Sequence, residues 1–241
     1  MTDTIVFPGF SIKSLIDEEN EAKDKKIVIG PGLKRQINDV RAIKCGILRS
    51  RTSNNLIVYW IDSHQKRYVA VRGERVIGVV VGKGAMSVNV DIGTSELASL
   101  SLLAFESATK RNRPNIQLGD LVYARILSAN KDMKTELICV TSQMKKDGLG
   151  VLPQGGFMIS VPLRVCRRLL SPGCKLIEIL GSKFKYEITV GLNGRIWIRS
   201  PSITETIYIV NTFLSVEDKD EQGMLDLYKQ ITDKFQVVRK K

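Results

Sequence analysis

Apolar residues recur along this chain mostly with a period of two, in short runs punctuated by glycine, proline and asparagine. Alternation over a few residues, bounded by turn formers, is the signature of half-buried strands. Ile27-Val28-Ile29 runs into the turn cluster Gly30-Pro31-Gly32. Residues 40–48 and 56–61 are β-rich and are joined through Thr52-Ser53-Asn54-Asn55, a hairpin-like loop. Residues 17–26 are a charged loop. Residues 1–65 therefore read as a small N-terminal β-rich domain.

The same rhythm continues through residues 66–146. A strand over 74–81 ends at Gly82-Lys83-Gly84. Residues 85–92 alternate, with Met86, Val88 and Val90 on one face and Ser87, Asn89 and Asp91 on the other. Short apolar pieces follow over 97–104. Strands over 121–129 and 136–142 flank a turn at 130–135. Five strands with a long gap between the third and fourth predict an OB-type barrel. Three stretches narrow this. Gly73-Glu74-Arg75-Val76-Ile77-Gly78-Val79-Val80, Val90-Asp91-Ile92-Gly93 and Gly119-Asp120-Leu121-Val122-Tyr123-Ala124-Arg125 resemble the S1-type RNA-binding branch of that fold.

The gap holds the densest basic cluster of the chain, Lys110, Arg111 and Arg113, closed by Pro114. Proline has a fixed φ and Gly119-Asp120 is turn chemistry, so these cations belong on a loop. With Lys83 and Ser87 they are the candidate RNA contacts. Bases stack on aromatic rings in many such barrels, yet no aromatic residue lies between Tyr68 and Phe105. Contact with RNA should rest on charge.

After residue 146 the pattern lengthens. A strand over 157–161 leads to Pro162 as the first helical residue, with the helix continuing over 163–170. Ser171-Pro172-Gly173 breaks it. A second helix over 175–180 stops at Gly181. Strands at 186–190 and 195–199 flank Leu192-Asn193-Gly194, a strong hairpin signal. Residues 202–214 form a helix whose buried face is Ile203, Ile207, Val210 and Leu214. A last helix over 221–235 precedes a basic tail, 237–241. Strand–helix–helix–strand–strand–helix is the order of a eukaryotic-type KH fold over residues 147–241. KH domains clamp single strands with a GxxG loop between their first two helices. Here that position reads Ser171-Pro172-Gly173-Cys174, and the GxxG match, Gly191-Leu192-Asn193-Gly194, lies on the strand–strand hairpin.

Charge adds a direction. The 241 residues carry a net charge of +12, which points to an acidic partner, nucleic acid ahead of an anionic membrane. Residues 145–200, with ten basic and three acidic side chains, are the most basic part. No apolar run has the roughly 18–20 residues of a spanning helix. Asp3 stands where a signal peptide carries positive charge, and neither end has a lipidation signal. Cys45, Cys139, Cys166 and Cys174 form no CxxC pair, so buried, reduced thiols are expected and a zinc ribbon is not. His64 is the one histidine and sits in a turn. No GxSxG, P-loop or HExxH occurs. These features predict no enzyme, no metal and no cofactor.

The order of a β-rich unit, an S1-type barrel and a KH-like domain is similar to the cap subunits of the eukaryotic RNA exosome. The resemblance is carried by residues 105–115, by Gly148-Leu149-Gly150 and by Gly191-Leu192-Asn193-Gly194-Arg195-Ile196-Trp197-Ile198. It implies a non-catalytic subunit in RNA decay and rRNA processing. Such a subunit would bridge RNase PH-like ring subunits, sit beside other S1/KH cap subunits and lead RNA to a separate 3′→5′ exoribonuclease. It would be found in the nucleus and nucleolus and also in the cytoplasm. It further implies that Gly191, Asn193 and Gly194 are structural, packing the KH domain against the barrel. The alternative is a free-standing S1/KH RNA-binding protein. A metal-dependent nuclease comes third.

Overall fold

The architecture is that of a computed structural model. It describes residues 4–14, 26–37, 39–53, 56–65, 67–130, 132–171 and 174–216, with 223, 226–228 and 231. Two compact units divide the chain, Met1–His64 and Gln65–Lys241.

Apart from Lys13 and Ser14, which are helical, the regular structure described in the first unit is six strands. These are β1 (Thr4–Val6), β2 (Lys26–Ile29), β3 (Leu33–Arg35), β4 (Val40–Ala42), β5 (Gly46–Ser53) and β6 (Leu56–Asp62). One sheet has the order β1-β5-β6-β2, and β3 pairs with β4. In β6 the alternation is strict: Ile57, Tyr59 and Ile61 point inward, onto Val6, Ile12 and Leu33. The run expected over 40–48 is broken at Ile43-Lys44-Cys45. Its two halves serve different sheets, since Val40 pairs with Arg35 while Gly46 pairs with Val6. Thr52 and Ser53, expected in the loop, belong to β5, with Ser53 opposite Leu56. The loop expected over 17–26 lies outside the described residues, except Lys26, which opens β2.

In the second unit, β7 (Arg75–Lys83), β8 (Ser87–Asp91), β9 (Ala98–Ser101), β10 (Leu121–Asn130) and β11 (Met133–Ile138) form a barrel. Neighbours run β11-β9-β8-β7-β10, and β10 also pairs with β11, which closes it. The β9–β11 pairing is parallel. Val76, Val80, Val88, Val90, Leu100, Val122, Ala124 and Ile126 fill the interior. β12 (Gly150–Val151) extends the sheet beside β10. β7 runs past the expected end at 81, through a bulge between Val80 and Gly82. Met86 is therefore not on the inner face of β8; it sits in the turn before it, 48% exposed. β11 starts at Met133 because the turn is tight, with Asn130 opposite Met133, so most of the turn expected at 130–135 is strand.

The KH-like half contains β13 (Phe157–Ser160), α1 (Leu163–Leu169), α2 (Leu176–Lys183), β14 (Glu187–Val190), β15 (Arg195–Arg199) and α3 (Ile203–Leu214). Its antiparallel sheet has the order β13-β15-β14. Pro162 is the residue before α1, not its first: ψ of 146° is extended. α2 continues past Gly181 to Lys183. Glycine inside a helix costs about 0.5–1 kcal/mol, less than burying Leu176 and Leu180 returns.

Of the face expected for α3, only Val210 is buried. Ile203, Ile207 and Leu214 are exposed, Ile203 at 79%. Ile209, Val210 and Phe213 point into the core, together with Thr212, whose hydroxyl donates to the Tyr208 carbonyl at 2.8 Å. The helix carries two apolar stripes, and the one holding Phe213 and Ile209 fills the space under the sheet. The helix expected over 221–235 lies largely outside the described residues, as does the 237–241 tail. Leu227 and Ile231 are described, and both are buried in the KH core.

Candidate nucleic-acid interface

The connection between β9 and β10, residues 102–120, contains no strand. It is nevertheless built. Ile116 is fully buried in the barrel and anchors its far end. Thr109 and Asn112 close a turn, through Thr109 N–H to the Asn112 carbonyl at 2.9 Å and Asn112 N–H to Thr109 Oγ1 at 3.0 Å. Lys110 and Arg111 are thereby held at the exposed tip.

The β7–β8 turn is tied to this loop by side chains. Lys83 Nζ donates to the Ile116 carbonyl at 3.0 Å. Arg113 donates to the Ala85 carbonyl at 2.8 Å and to the Lys110 carbonyl at 3.2 Å. Leu102 N–H bonds the Met86 carbonyl at 3.0 Å. Ser87 opens β8 opposite Ser101. Lys83, Ser87, Lys110, Arg111 and Arg113 thus share one end of the barrel. Their tasks differ. Lys83 and Arg113 brace the loop through backbone oxygens; an ammonium has three N–H groups and a guanidinium five, so each keeps donors for a ligand. No hydrogen bond or ion pair engages the Lys110 or Arg111 side chain among the described residues. Sequence alone pointed to the cluster but not to this division.

At the other end of the barrel, β8 stops at Asp91 while β7 continues back to Arg75. The hairpin turn between β14 and β15 occupies the edge this leaves. Leu192 N–H bonds the Arg75 carbonyl at 2.9 Å. Asn193 Oδ1 accepts from Ile77 N–H at 3.2 Å, and its Nδ2 donates to the carbonyls of Ile77 at 2.8 Å and Ile92 at 2.9 Å. Asn193 is buried, and a side-chain amide here does the work of a missing strand. Gly191 lies so close that a Cβ would meet Asn193 Oδ1 and come within 2.8 Å of Ile77 N. Gly194 has a φ of +82°, a conformation glycine adopts without penalty.

Arg195, next along, donates to the Asp91 carbonyl at 2.5 Å and to its carboxylate at 2.6 Å. Burial pushes the Asp91 carboxyl up, but the hydrogen bonds from Arg195 and from Gly93 N–H outweigh it and hold the pKa below its ordinary value. Nothing in the sequence linked Arg195 to Asp91, because their separation is set by folding. The same holds for Arg75 and Asp147, paired at 2.7 Å.

The cysteines divide. Cys139 and Cys166 are buried, and burial pushes each thiol up to about 12. Cys45 is exposed, against the expectation of buried thiols, because it lies in the break between β4 and β5. Among the described residues no group of three or more His, Cys, Asp or Glu could hold a metal ion, and no helix is long and apolar enough to cross a membrane.

A closed S1-type barrel, joined through a KH hairpin turn to a βααββα fold, defines an S1–KH protein. Three family profiles match it in order: the N-terminal domain of mammalian exosome complex component RRP40 over residues 2–64, the S1 domain of exosome complex component RRP40 over 68–150, and a KH domain over 156–204. The chain is 42% identical to exosome complex component RRP40 of Mus musculus over 210 residues, covering 86% of this chain and 77% of that protein. It is 42% identical to the Drosophila melanogaster protein of the same name over 216 residues, 90% of each. The chain belongs to the exosome complex component RRP40 family. A crystal structure of a proposed exosome complex RNA-binding protein shares the fold, with a TM-score of 0.59 and 22% identity over 71% of this chain and 99% of that one.

Proposed function

We propose that this chain is a non-catalytic, RNA-binding cap subunit of the RNA exosome. In that role it bridges RNase PH-like ring subunits beside other S1/KH cap subunits, and it guides RNA toward a 3′→5′ exoribonuclease elsewhere in the assembly. Membership of the family supports the assembly. The RNA contact rests on one observation: Lys110 and Arg111 stand exposed at the tip of a loop that Lys83, Arg113 and Ile116 hold in place. Such cations attract phosphates by releasing counterions, with no reading of bases. Without exposed aromatic side chains on β8 or β9, stacking worth roughly 1–3 kcal/mol per base is missing. The loop is therefore a guide along a path, with weak and sequence-independent affinity.

The non-catalytic reading is supported by the single histidine and by the lack of a nucleophile or phosphate-loop motif in the sequence. The same reading puts the chain in the nucleus and nucleolus as well as the cytoplasm, which cell fractionation checks. Co-migration with RNase PH-like subunits on size exclusion tests the assembly. A chain that binds RNA but never co-migrates is a free-standing RNA-binding protein instead. Degradation of labelled RNA by the purified chain in magnesium or manganese would overturn the non-catalytic reading.

A further inference from the structure

We infer that the seam between the barrel and the KH-like fold holds a second anion site, sized for one phosphate-bearing nucleotide. A cavity of about 440 Å³ opens there, with Arg67, Ser160, Pro162, Leu163 and Arg195 in its walls. That volume falls within the roughly 300–1,000 Å³ of small-ligand sites. Its lining has two arginines and no acid. Two nearby carboxylates are engaged, Glu74 accepting from the Tyr68 hydroxyl at 2.6 Å and Asp91 from Arg195 at 2.6 Å, while Glu96 shares the adjoining cleft with Arg67 and lies outside this cavity's lining. Arg195 makes three hydrogen bonds, and a guanidinium has five N–H groups, so it has donors left. Arg67 is exposed and meets no acid among the described residues.

Paired guanidinium groups grip a phosphate, Ser160 supplies a hydroxyl at the rim, and Pro162 and Leu163 supply an apolar surface for the sugar or base. Placement supports the assignment. Gly93 lies two residues past Asp91, the last residue of β8, whereas Ser87 opens the strand beside the basic loop. The two basic regions thus lie at opposite ends of β8, roughly 15 Å apart at strand rise. One extended RNA strand reaches both. The site goes beyond the cap reading; it rests on that reading only for RNA as the source of the nucleotide, the other source being a free nucleotide.

The test is a titration of the isotope-labelled full chain, followed by amide chemical shifts, with uridine monophosphate and separately with a uridine hexanucleotide. Shifts at Gly93, Ser160 and Val161 are expected. Saturation by the monophosphate identifies a free-nucleotide site; a response to the hexanucleotide alone identifies a site for a chain. Arg67→Glu should weaken the affinity read from these shifts about tenfold, the order expected for one charge-assisted contact, and leave the rest of the spectrum in place. Silence at all three positions with both ligands, or unchanged affinity in Arg67→Glu, overturns the site. Seam shifts without any response at residues 105–116 would retain this site and sink the loop as the RNA guide.

Discussion

The two ends of the barrel solve a polar problem in opposite ways. At the basic end, Lys83 and Arg113 donate to the carbonyls of Ile116, Ala85 and Lys110, and the loop they brace remains in solvent. At the KH end, Asn193 meets both polar groups of Ile77 and the carbonyl of Ile92 inside the protein. A solvent-facing donor that loses its partner turns to water. A buried one has nowhere to turn, and leaving it unsatisfied costs about 1–3 kcal/mol. The same kind of contact is thus adjustable at one end and structural at the other.

The largest expected effect follows at the buried end. Asn193→Ala leaves Ile77 N–H and the Ile92 carbonyl without this partner, and the Ile77 carbonyl with only a 3.4 Å contact from Arg195, so it should lower the stability of the second unit by at least about 2 kcal/mol. Chemical denaturation measures this; a midpoint equal to the unmodified chain would erase the contrast between the two ends. Lys83→Ala and Arg113→Ala come next. Each removes contacts in or near solvent and should cost about 1 kcal/mol, with some loss of RNA affinity from a loosened loop. Lys110→Ala with Arg111→Ala should stay within about 0.5 kcal/mol of the original stability. Its RNA binding should weaken, and the slope of log affinity against log salt should fall by roughly 1.4, at about 0.7 per phosphate contact on a single strand. An unchanged slope would mean these two cations touch no phosphate. A triple change including Arg113 would mix the two effects.

The Asp91–Arg195 contact adds a pH test. Asp91 has a folded pKa below its unfolded value. Its contribution is therefore present above the unfolded pKa, about 3.9, and is lost as pH falls through the folded value. Asp91→Asn should flatten the acid limb of the stability curve below pH about 4; equal acid limbs would show that the pair contributes nothing. The smallest effect is chemical. Cys45 should react with a thiol reagent in the native state, while Cys139 and Cys166, buried and pushed up to about 12, should react only on unfolding.

Much of this was legible in the residues. Period-two alternation and Gly-Asp and Asn-Gly turns located the barrel strands and the β14–β15 hairpin, because a half-buried strand requires that pattern locally. Pro114 and Gly119-Asp120 likewise put Lys110, Arg111 and Arg113 on a loop. The misjudged elements were those with two locally equivalent solutions. α3 has two apolar stripes, and only the sheet beneath it selects Ile209 and Phe213 over Ile203 and Ile207. Residues 40–48 look like one strand, and only the partners in two sheets divide them.

By itself, then, the sequence determined the succession of strands and helices, the barrel and KH classes and the position of the basic loop, since each follows from contacts between near neighbours. Tertiary structure alone decided that Lys83 and Arg113 are braces while Lys110 and Arg111 stand exposed at the tip, that Asn193 replaces a strand beside Ile77, and that Arg195 meets Asp91. Those pairings join residues far apart in the chain. No local preference encodes them; at the KH end they exist because buried backbone groups at a sheet edge need partners, and at the basic end because the fold brings long cationic side chains within reach of loop carbonyls.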